Sequence, residues 1–208
     1  MNHFLALGAF AFLSAPAVAA TASLQDIQRA LVATTTMTAD FEQTAADGKI
    51  ARGTMLLKRP GRIRFDYGKD VPWLVVADGR YLSFVDYKVS QVSQWPVRST
   101  PLGVLLDPKA DLSRIARVLP ESESPFPGQI AVLAQDPKRP EIGRILFFLA
   151  PDSASPGGYR LKGWRVTDAQ NNLTSVELKN IRTNVAISDS AFAFRDPRPK
   201  NRPPGKTG

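Results

Sequence analysis

The chain has 208 residues, no cysteine and a single histidine, and its 27 Lys and Arg outnumber its 19 Asp and Glu to give a formal net charge of +8. This length is enough for one domain with a sizeable core. Because His3 falls in the leader described next, the rest of the chain lacks both His and Cys, which excludes Ser-His-Asp triads, Cys-His pairs, thiolate redox chemistry and nearly every zinc site.

Residues 1–20 have the character of a secretory signal peptide. An apolar run at 4–13 is too short to span a bilayer, and it is followed by the small residues 17–20, an Ala-x-Ala pattern that signal peptidase accepts. We therefore expect export to the periplasm and cleavage after Ala19 or Ala20. The mature domain then covers residues 21–197, and a basic, Pro-rich tail at 198–208 is expected to be disordered.

The first predicted element of the mature chain is an amphipathic helix over residues 24–35. Ser23 and Asp26 form a helix start with an acidic first turn. Leu24, Ile27 and Leu31 follow at spacings of three and four residues, which places them on one stripe of a helix.

From residue 38 onward the pattern is one of short strands separated by turns. Asp47-Gly48 is a strong hairpin signal, and Pro60-Gly61 interrupts the chain again. A proline suited to a first helical turn opens a short helix at 101–106, and a second is expected at 111–115. The predicted strands are 38–44, 50–58, 62–67, 73–77, 81–86, 91–96, 116–119, 129–135, 144–150, 163–167, 173–180 and 193–194.

These elements favour one antiparallel, β-rich domain. Several strands are apolar on both faces, notably at 55–57, 74–76 and 145–149. A single sheet with one wet face does not explain this pattern. A β-sandwich explains it, and so does a curved sheet that holds a helix and a ligand in its concavity.

The segment Gly53-Thr-Met-Leu-Leu-Lys-Arg-Pro-Gly-Arg-Ile-Arg-Phe-Asp-Tyr67 resembles the signature of the outer-membrane lipoprotein carrier family, the LolA-type periplasmic chaperones. Further matches occur in the family's order across residues 27–197. They are Phe41-x-Gln43, Val75-x-x-Asp78-Gly79-x-x-Leu82, Pro101-Leu102-x-x-Leu105-Leu106, Asp168 to Leu178 with Asn180, and Phe192-x-Phe194-x-x-Pro197.

The resemblance implies a mainly β (α+β) fold: a single curved antiparallel sheet that forms an incomplete β-barrel, closed by an N-terminal helix and short lid helices over a hydrophobic cavity. It implies a soluble, monomeric periplasmic carrier without enzymatic activity or cofactor. Such carriers take acylated lipoproteins released by an inner-membrane ABC transporter to an outer-membrane receptor or membrane. In the family, the arginine of the Arg-Pro motif, here Arg59, hydrogen-bonds the lid backbone in the closed state and acts as a latch.

A carrier of this kind needs an apolar cavity rather than reacting groups. Burial of one methylene contributes about 0.8 kcal/mol, so a C16 chain is held out of water by roughly 12 kcal/mol. The expected lipid-binding cavity comprises Leu31, Ile63, Phe65, Leu102, Leu105 and Leu106, together with Met55, Leu57, Trp73 and Val75, whose strand faces the sequence does not assign. Ordinary core packing is the alternative role for each of them.

Two features depart from the family pattern, the loop containing Pro125 and Pro127 and the basic C-terminal tail. The excess of basic residues is compatible with anionic lipid head groups, with an acidic partner, or with a solvated surface.

Other functions remain open at this stage. The same fold can bind a different lipid or act as a sensor of mislocalised lipoproteins. For an enzyme, paired-carboxylate or Lys-based chemistry remains, and Asp66, Asp78 and Asp86 are the candidate carboxylates near strand ends. Nucleic-acid binding through Lys58, Arg59, Arg62 and Arg64 fits the charge but not the export signal, and we expect neither a nucleic-acid partner nor a metal site.

Overall fold

The computed structural model describes residues 22–69, 71–107 and 109–199. The predicted signal peptide, and the predicted tail beyond residue 199, lie outside these residues. The helices are α1 (Leu24–Ala33), α2 (Leu102–Leu106) and α3 (Leu112–Ile115). The strands are β1 (Thr36–Thr44), β2 (Ile50–Lys58), β3 (Arg62–Asp66), β4 (Trp73–Asp78), β5 (Tyr81–Asp86), β6 (Gln91–Pro96), β7 (Ala116–Val118), β8 (Ile130–Ala134), β9 (Arg144–Pro151), β10 (Tyr159–Thr167) and β11 (Leu173–Thr183).

All eleven strands form one antiparallel sheet in the order β6-β5-β4-β3-β2-β1-β11-β10-β9-β8-β7. The sheet therefore has two edges, β6 and β7, and does not close into a complete barrel. This confirms the predicted single curved sheet and excludes the sandwich. Strands β1 to β6 form a simple meander, because each is followed by a short turn that allows only the antiparallel neighbour.

Bulges on two strands interrupt the regular pairing where the sheet bends. Between β1 and β11, Ala39 lies opposite both Asn180 and Ile181. The side-chain amide of Asn180 donates to the carboxylate of Asp40 at 2.6 Å. Between β9 and β10 the register shifts at Gly163. An extra residue on one strand bends that strand and increases its twist, so both sites contribute to the curvature.

Both faces of the curved sheet are covered, which explains the strands that are apolar on both sides. On the convex face, residues 187–194 (the C-terminal strap) cross β3 to β5, and Phe192 packs on Leu74, Val76 and Val85. On the convex side of β9, Phe126 from the Pro-rich loop packs edge-on against Phe148 with ring centroids 4.6 Å apart. The loop that departs from the family pattern thus shields an aromatic side chain of the sheet.

The structure also corrects three predicted boundaries and one predicted strand. Helix α1 ends at Ala33 because Thr34 leaves the helical region and caps it, so residues 34–35 lie outside the helix. Strand β10 begins four residues earlier than expected, and β11 continues to Thr183. The predicted strand at 193–194 is wrong. These residues follow a 3₁₀ turn, and the carbonyl of Ala193 accepts from the Arg64 guanidinium instead of a strand partner.

Candidate functional site

The concave face of β1 to β4 is a continuous apolar surface that the strand register builds. Ala39 lies opposite Met55, Met55 opposite Phe65, and Phe65 opposite Val75. A second row, one pleat away, runs through Met37, Leu57, Ile63 and Ala77 in the same strands. Since side chains alternate between the faces of a strand, the residues between these positions, Thr38, Leu56, Arg64 and Val76, point to the convex side.

The three helices fill the concavity. Ile27, Ala30 and Leu31 of α1 are buried, as are Leu105 and Leu106 of α2 and Leu112 of α3. They belong to the same hydrophobic cluster as the concave face. We refer to α2 as the lid.

Little space remains beneath the lid. A void between α1 and α2, lined by Leu31, Arg59 and Leu105 among others, has a volume of about 10 Å³. One ordered water needs about this much room. A hydrocarbon chain can therefore enter this part of the interior only if the helices move.

The structure brings the predicted cavity residues together with one exception. Leu31, Met55, Leu57, Ile63, Phe65, Leu105 and Leu106 are all buried within one cluster, and Val75 and Leu102 pack against it half-buried. Trp73 lies on the same face as Val75 but at the rim, where it is 42% exposed. Its ring packs edge-on against Tyr67 and at a tilt against Phe84 rather than entering the core.

The sequence reasoning did not include the other half of the interior. Val132, Ile145, Phe147 and Trp164 of β8 to β10 are also buried in the cluster, and Trp164 contacts Phe65 at 6.0 Å between ring centroids. Strand β9 is apolar at every position from 145 to 149, so alternation could not tell its two faces apart.

Arg59 lies in the turn between β2 and β3 and joins this turn to both covering helices. Its Nε donates to the carbonyl of Leu105 in the lid at 3.0 Å. Its Nη1 donates to the carbonyls of Leu31 and Thr34 at the end of α1. Beside it, the amide of Gly61 donates to the carbonyl of Leu106 at 3.0 Å.

These acceptors are carbonyls that a helix leaves unpaired at its C-terminus. A cation is favourable there because the helix dipole places partial negative charge at that end. Burial lowers the pKa of Arg59 to about 10. The guanidinium therefore stays charged at neutral pH, and Arg59 bridges two helix C-termini with charge-assisted hydrogen bonds.

The carboxylates considered for catalysis have structural partners. Asp66 pairs with Arg64 at 3.0 Å, Asp78 accepts the amides of its own turn, and Asp86 accepts from the Trp73 indole at 3.1 Å. Across the described parts of the chain, no group of three or more His, Cys, Asp or Glu is placed to hold a metal ion.

The basic residues considered for nucleic-acid binding do not form one exposed patch. Arg59 points to the lid, whereas Lys58 and Arg62 both reach Asp189 of the C-terminal strap, at 2.6 and 2.7 Å. Arg64 donates to the strap carbonyl of Ala193 at 3.1 Å. These side chains hold the strap on the convex face.

The comparison with protein families decides the assignment of this fold. The model of the family described as outer membrane lipoprotein carrier protein LolA matches residues 33–195. The chain belongs to the LolA family. The match extends from the end of α1 to the strap, so it includes the concave face, the Arg-Pro turn and the lid.

Relatives named outer-membrane lipoprotein carrier protein match between about half of the chain and nearly all of it. An outer-membrane lipoprotein carrier protein of Chromobacterium violaceum is 29% identical over 196 residues, which are 89% of this chain and 88% of the relative. One of Chromohalobacter salexigens is 29% identical over 201 residues, which are 93% of this chain and 92% of the relative. One of Glaesserella parasuis reaches 37% identity over 111 residues, about half of each chain (49% and 50%).

Among solved structures, a LolA superfamily protein from Nitrosomonas europaea matches with a TM-score of 0.43 at 13% identity, covering 83% of this chain and 98% of that chain. An uncharacterised conserved protein from Thermus thermophilus matches with a TM-score of 0.48 at 10% identity, covering 85% of this chain and 94% of that chain. In the described part of the LolA-family chain, none of the helices has the length and apolar character needed to span a membrane.

Proposed function

We propose that the protein is a periplasmic carrier that binds the acyl chains of lipoproteins. It receives them from an inner-membrane ABC transporter and delivers them to the outer membrane or to a receptor there. Membership of the LolA family and the names of its relatives support this role. The observation that carries the proposal is the bridge from Arg59 to both helices that cover the concave face. The carrier acts as a monomer and needs neither catalysis, nor a cofactor, nor a nucleic acid.

Exchange of the lid for an acyl chain explains how such a carrier can bind strongly and still release its cargo. Leu105 and Leu106 are each 1% exposed and lie against the concave face. When cargo displaces them, the concave surface stays covered by hydrocarbon, so only part of the roughly 12 kcal/mol of a C16 chain appears as net affinity. The returning lid then competes with the cargo at release.

Arg59 sets the balance between these states. Closing the lid makes hydrogen bonds from Arg59 and Gly61 to the lid carbonyls, whereas opening returns these groups to water. A ligand shifts such an equilibrium only by its different affinity for the two states. The cargo favours the open state because it occupies the volume that the lid leaves, and the latch favours the closed one.

The concave side of β4 and β6 offers the first contact for an acyl chain. Trp73 and Trp95 are 42% and 47% exposed and lie on the same face as the buried interior. Large exposed aromatic side chains next to a filled apolar interior favour a hydrophobic ligand. Hydrocarbon bound at this rim is adjacent to the surface that it covers after the lid has moved.

A release assay tests the proposal. The mature chain, without its leader, is incubated with inner-membrane vesicles that contain the ABC transporter, ATP and a labelled lipoprotein, and the vesicles are sedimented. We expect labelled lipoprotein in the supernatant, bound to the protein. We expect Trp73→Gln to lower this yield several-fold and Val89→Gln, a change at a more exposed hydrophobic residue in the β5–β6 turn, to leave it unaltered.

The alternatives predict different outcomes. If lipoprotein stays in the vesicles and mass analysis of lipids extracted from the purified protein finds another lipid class, the protein is a binding protein for that lipid. If lipoprotein binds but does not pass on to outer-membrane vesicles, the protein is a sensor. Either result refutes the carrier proposal.

A further inference from the structure

A cleft of about 650 Å³ lies between the turn after the edge strand β6 and the connection between β8 and β9. One wall consists of the β4–β5 turn, the 3₁₀ turn Val97–Ser99 after the edge strand β6, and residues of the lid. The connection between β8 and β9 forms the opposite wall. The volume is typical of sites for small ligands, which measure about 300–1,000 Å³.

The floor of the cleft is apolar, and its rim is cationic. Val97, Leu106 and Ala134 contribute to the lining and are buried members of the main hydrophobic cluster. Arg80 and Arg98 stand exposed at the rim on the β6 side, and Arg139 stands exposed across from them. An apolar floor beside guanidinium groups matches a molecule with a hydrocarbon part and an anionic group.

The arginines differ in what already engages them. Arg139 pairs with Asp136 at 2.8 Å and donates to the backbone carbonyl of Arg98 at 3.4 Å. The guanidinium groups of Arg80 and Arg98 form no ion pair within residues 22–69, 71–107 and 109–199. The remaining acidic residue of the lining, Asp107, accepts the amide of Lys109 at 2.8 Å. The lining therefore carries a formal charge of +1, and its two arginines without an ion pair, Arg80 and Arg98, are the groups that an added anion can engage.

We propose that this cleft binds the acidic head group, carboxylate or phosphate, of an acyl lipid whose chain lies on the apolar floor against the lid. Arg80 and Arg98 contact the head group, and Val104, a half-buried lid residue of the lining, contacts the chain. This inference deepens the proposed function and rests on it in one respect, that the lid is the element that moves. An acidic lipid in this position contacts the lid while the lid is closed.

Binding of paired ligands tests the charge requirement. Dodecanoate and dodecanol have the same chain length but differ in charge, and lysophosphatidate of equal chain length separates a phosphate from a carboxylate. We expect the mature protein to bind both anions more tightly than the alcohol. We expect Arg80→Gln/Arg98→Gln to weaken binding of the anions about tenfold, without changing the affinity for dodecanol.

The matched control is Arg52→Gln/Arg182→Gln, which removes two exposed arginines of β2 and β11 outside the cleft lining. Equal affinity of the wild type for dodecanoate and dodecanol overturns the inference. An equal loss in both double variants also overturns it, because the effect is then one of net charge. Binding of an acidic peptide in place of the lipids, displaced by neither anion, assigns the arginines to a protein partner and refutes the lipid site.

Failure of this inference can be distinguished from failure of the carrier function. If the wild type releases lipoprotein from vesicles but does not prefer the anionic ligands, only the cleft proposal is refuted. If the arginine-dependent preference is present but no lipoprotein is released, only the carrier proposal is refuted, and the cleft remains a site for acidic lipids.

Discussion

Replacement of Arg59 by leucine removes the bridge between the covering helices and puts an apolar side chain in place of the guanidinium. Three hydrogen bonds to the carbonyls of Leu31, Thr34 and Leu105 are lost, each worth at least about 1.5 kcal/mol because the donor is charged. Of the three bonds, the one to Leu105 joins the lid and is broken on opening, and its value is already net of the desolvation of the guanidinium. The carbonyls left without a donor add to the loss. The closed state is then less stable by about 2 kcal/mol, or roughly 30-fold in the ratio of closed to open forms.

A transfer assay measures this shift. Protein loaded with labelled lipoprotein is mixed with outer-membrane vesicles, and we expect Arg59→Leu to retain its cargo while the wild type releases it. Arg59→Lys should fall between them, because an ammonium group cannot bridge three carbonyls as the planar guanidinium does. Arg52→Leu, in which an arginine with a 70% exposed side chain is removed, serves as the control. Transfer by a folded Arg59→Leu variant at the wild-type rate would refute the assignment of the latch.

Three further changes test the fold around the site. Gly53→Ala should lower the free energy of unfolding by at least about 2 kcal/mol in urea, because its Cβ would lie 2.0 Å from the carbonyl oxygen of Asp66 on the paired strand; an unchanged midpoint would mean that the strands separate easily. Phe192→Ala should cost about 3–5 kcal/mol in the same assay, since the ring is 4% exposed in the convex cluster. A loss below 1 kcal/mol would contradict the packing of the strap. Asp189→Asn should lower the melting temperature at neutral pH but not in strong acid. The hydrogen bond from Lys58 lowers the pKa of Asp189 below its ordinary value of 3.8. The stabilisation by the Asp189 carboxylate is therefore present above pH 3.8 and is lost as the pH falls through the lowered pKa.

Local signals were sufficient for most of the sheet. The hairpin turn at Asp47-Gly48 and the break at Pro60-Gly61 enclose β2, and the predicted range 50–58 agrees with the structure. The alternation of Ile63 and Phe65 with arginines also gave the correct inward face, because one face of β3 is apolar and the other charged. Turn chemistry and period-two alternation are encoded within a few residues, so a sequence reveals them directly.

Long-range contacts could not be predicted in this way. The family resemblance placed Arg59 against the lid, but its bonds to α1 depend on where that helix ends, and Thr34 and Thr35 were assigned to the helix. Phe147 and Phe148 are adjacent and equally apolar, yet one lies in the interior and the other beneath Phe126 on the convex side. Which face a residue takes in such a strand follows from the register of the whole sheet, and the bulge at Gly163 shifts that register.

The two covers of the sheet differ in a way that supports the proposal that the concave side opens. The strap on the convex face is anchored by Phe192 and by ion pairs from Lys58 and Arg62 to Asp189, and it continues directly from β11. The lid on the concave face is a helix of five residues, far shorter than an isolated helix needs to be stable in water. Its order therefore depends on burial of its leucines and on the bonds that Arg59 and Gly61 make to its last carbonyls. Hydrocarbon of a bound acyl chain can replace the buried leucines of the lid. It cannot replace the hydrogen bonds from Arg59 and Gly61, so their loss opposes opening of the lid.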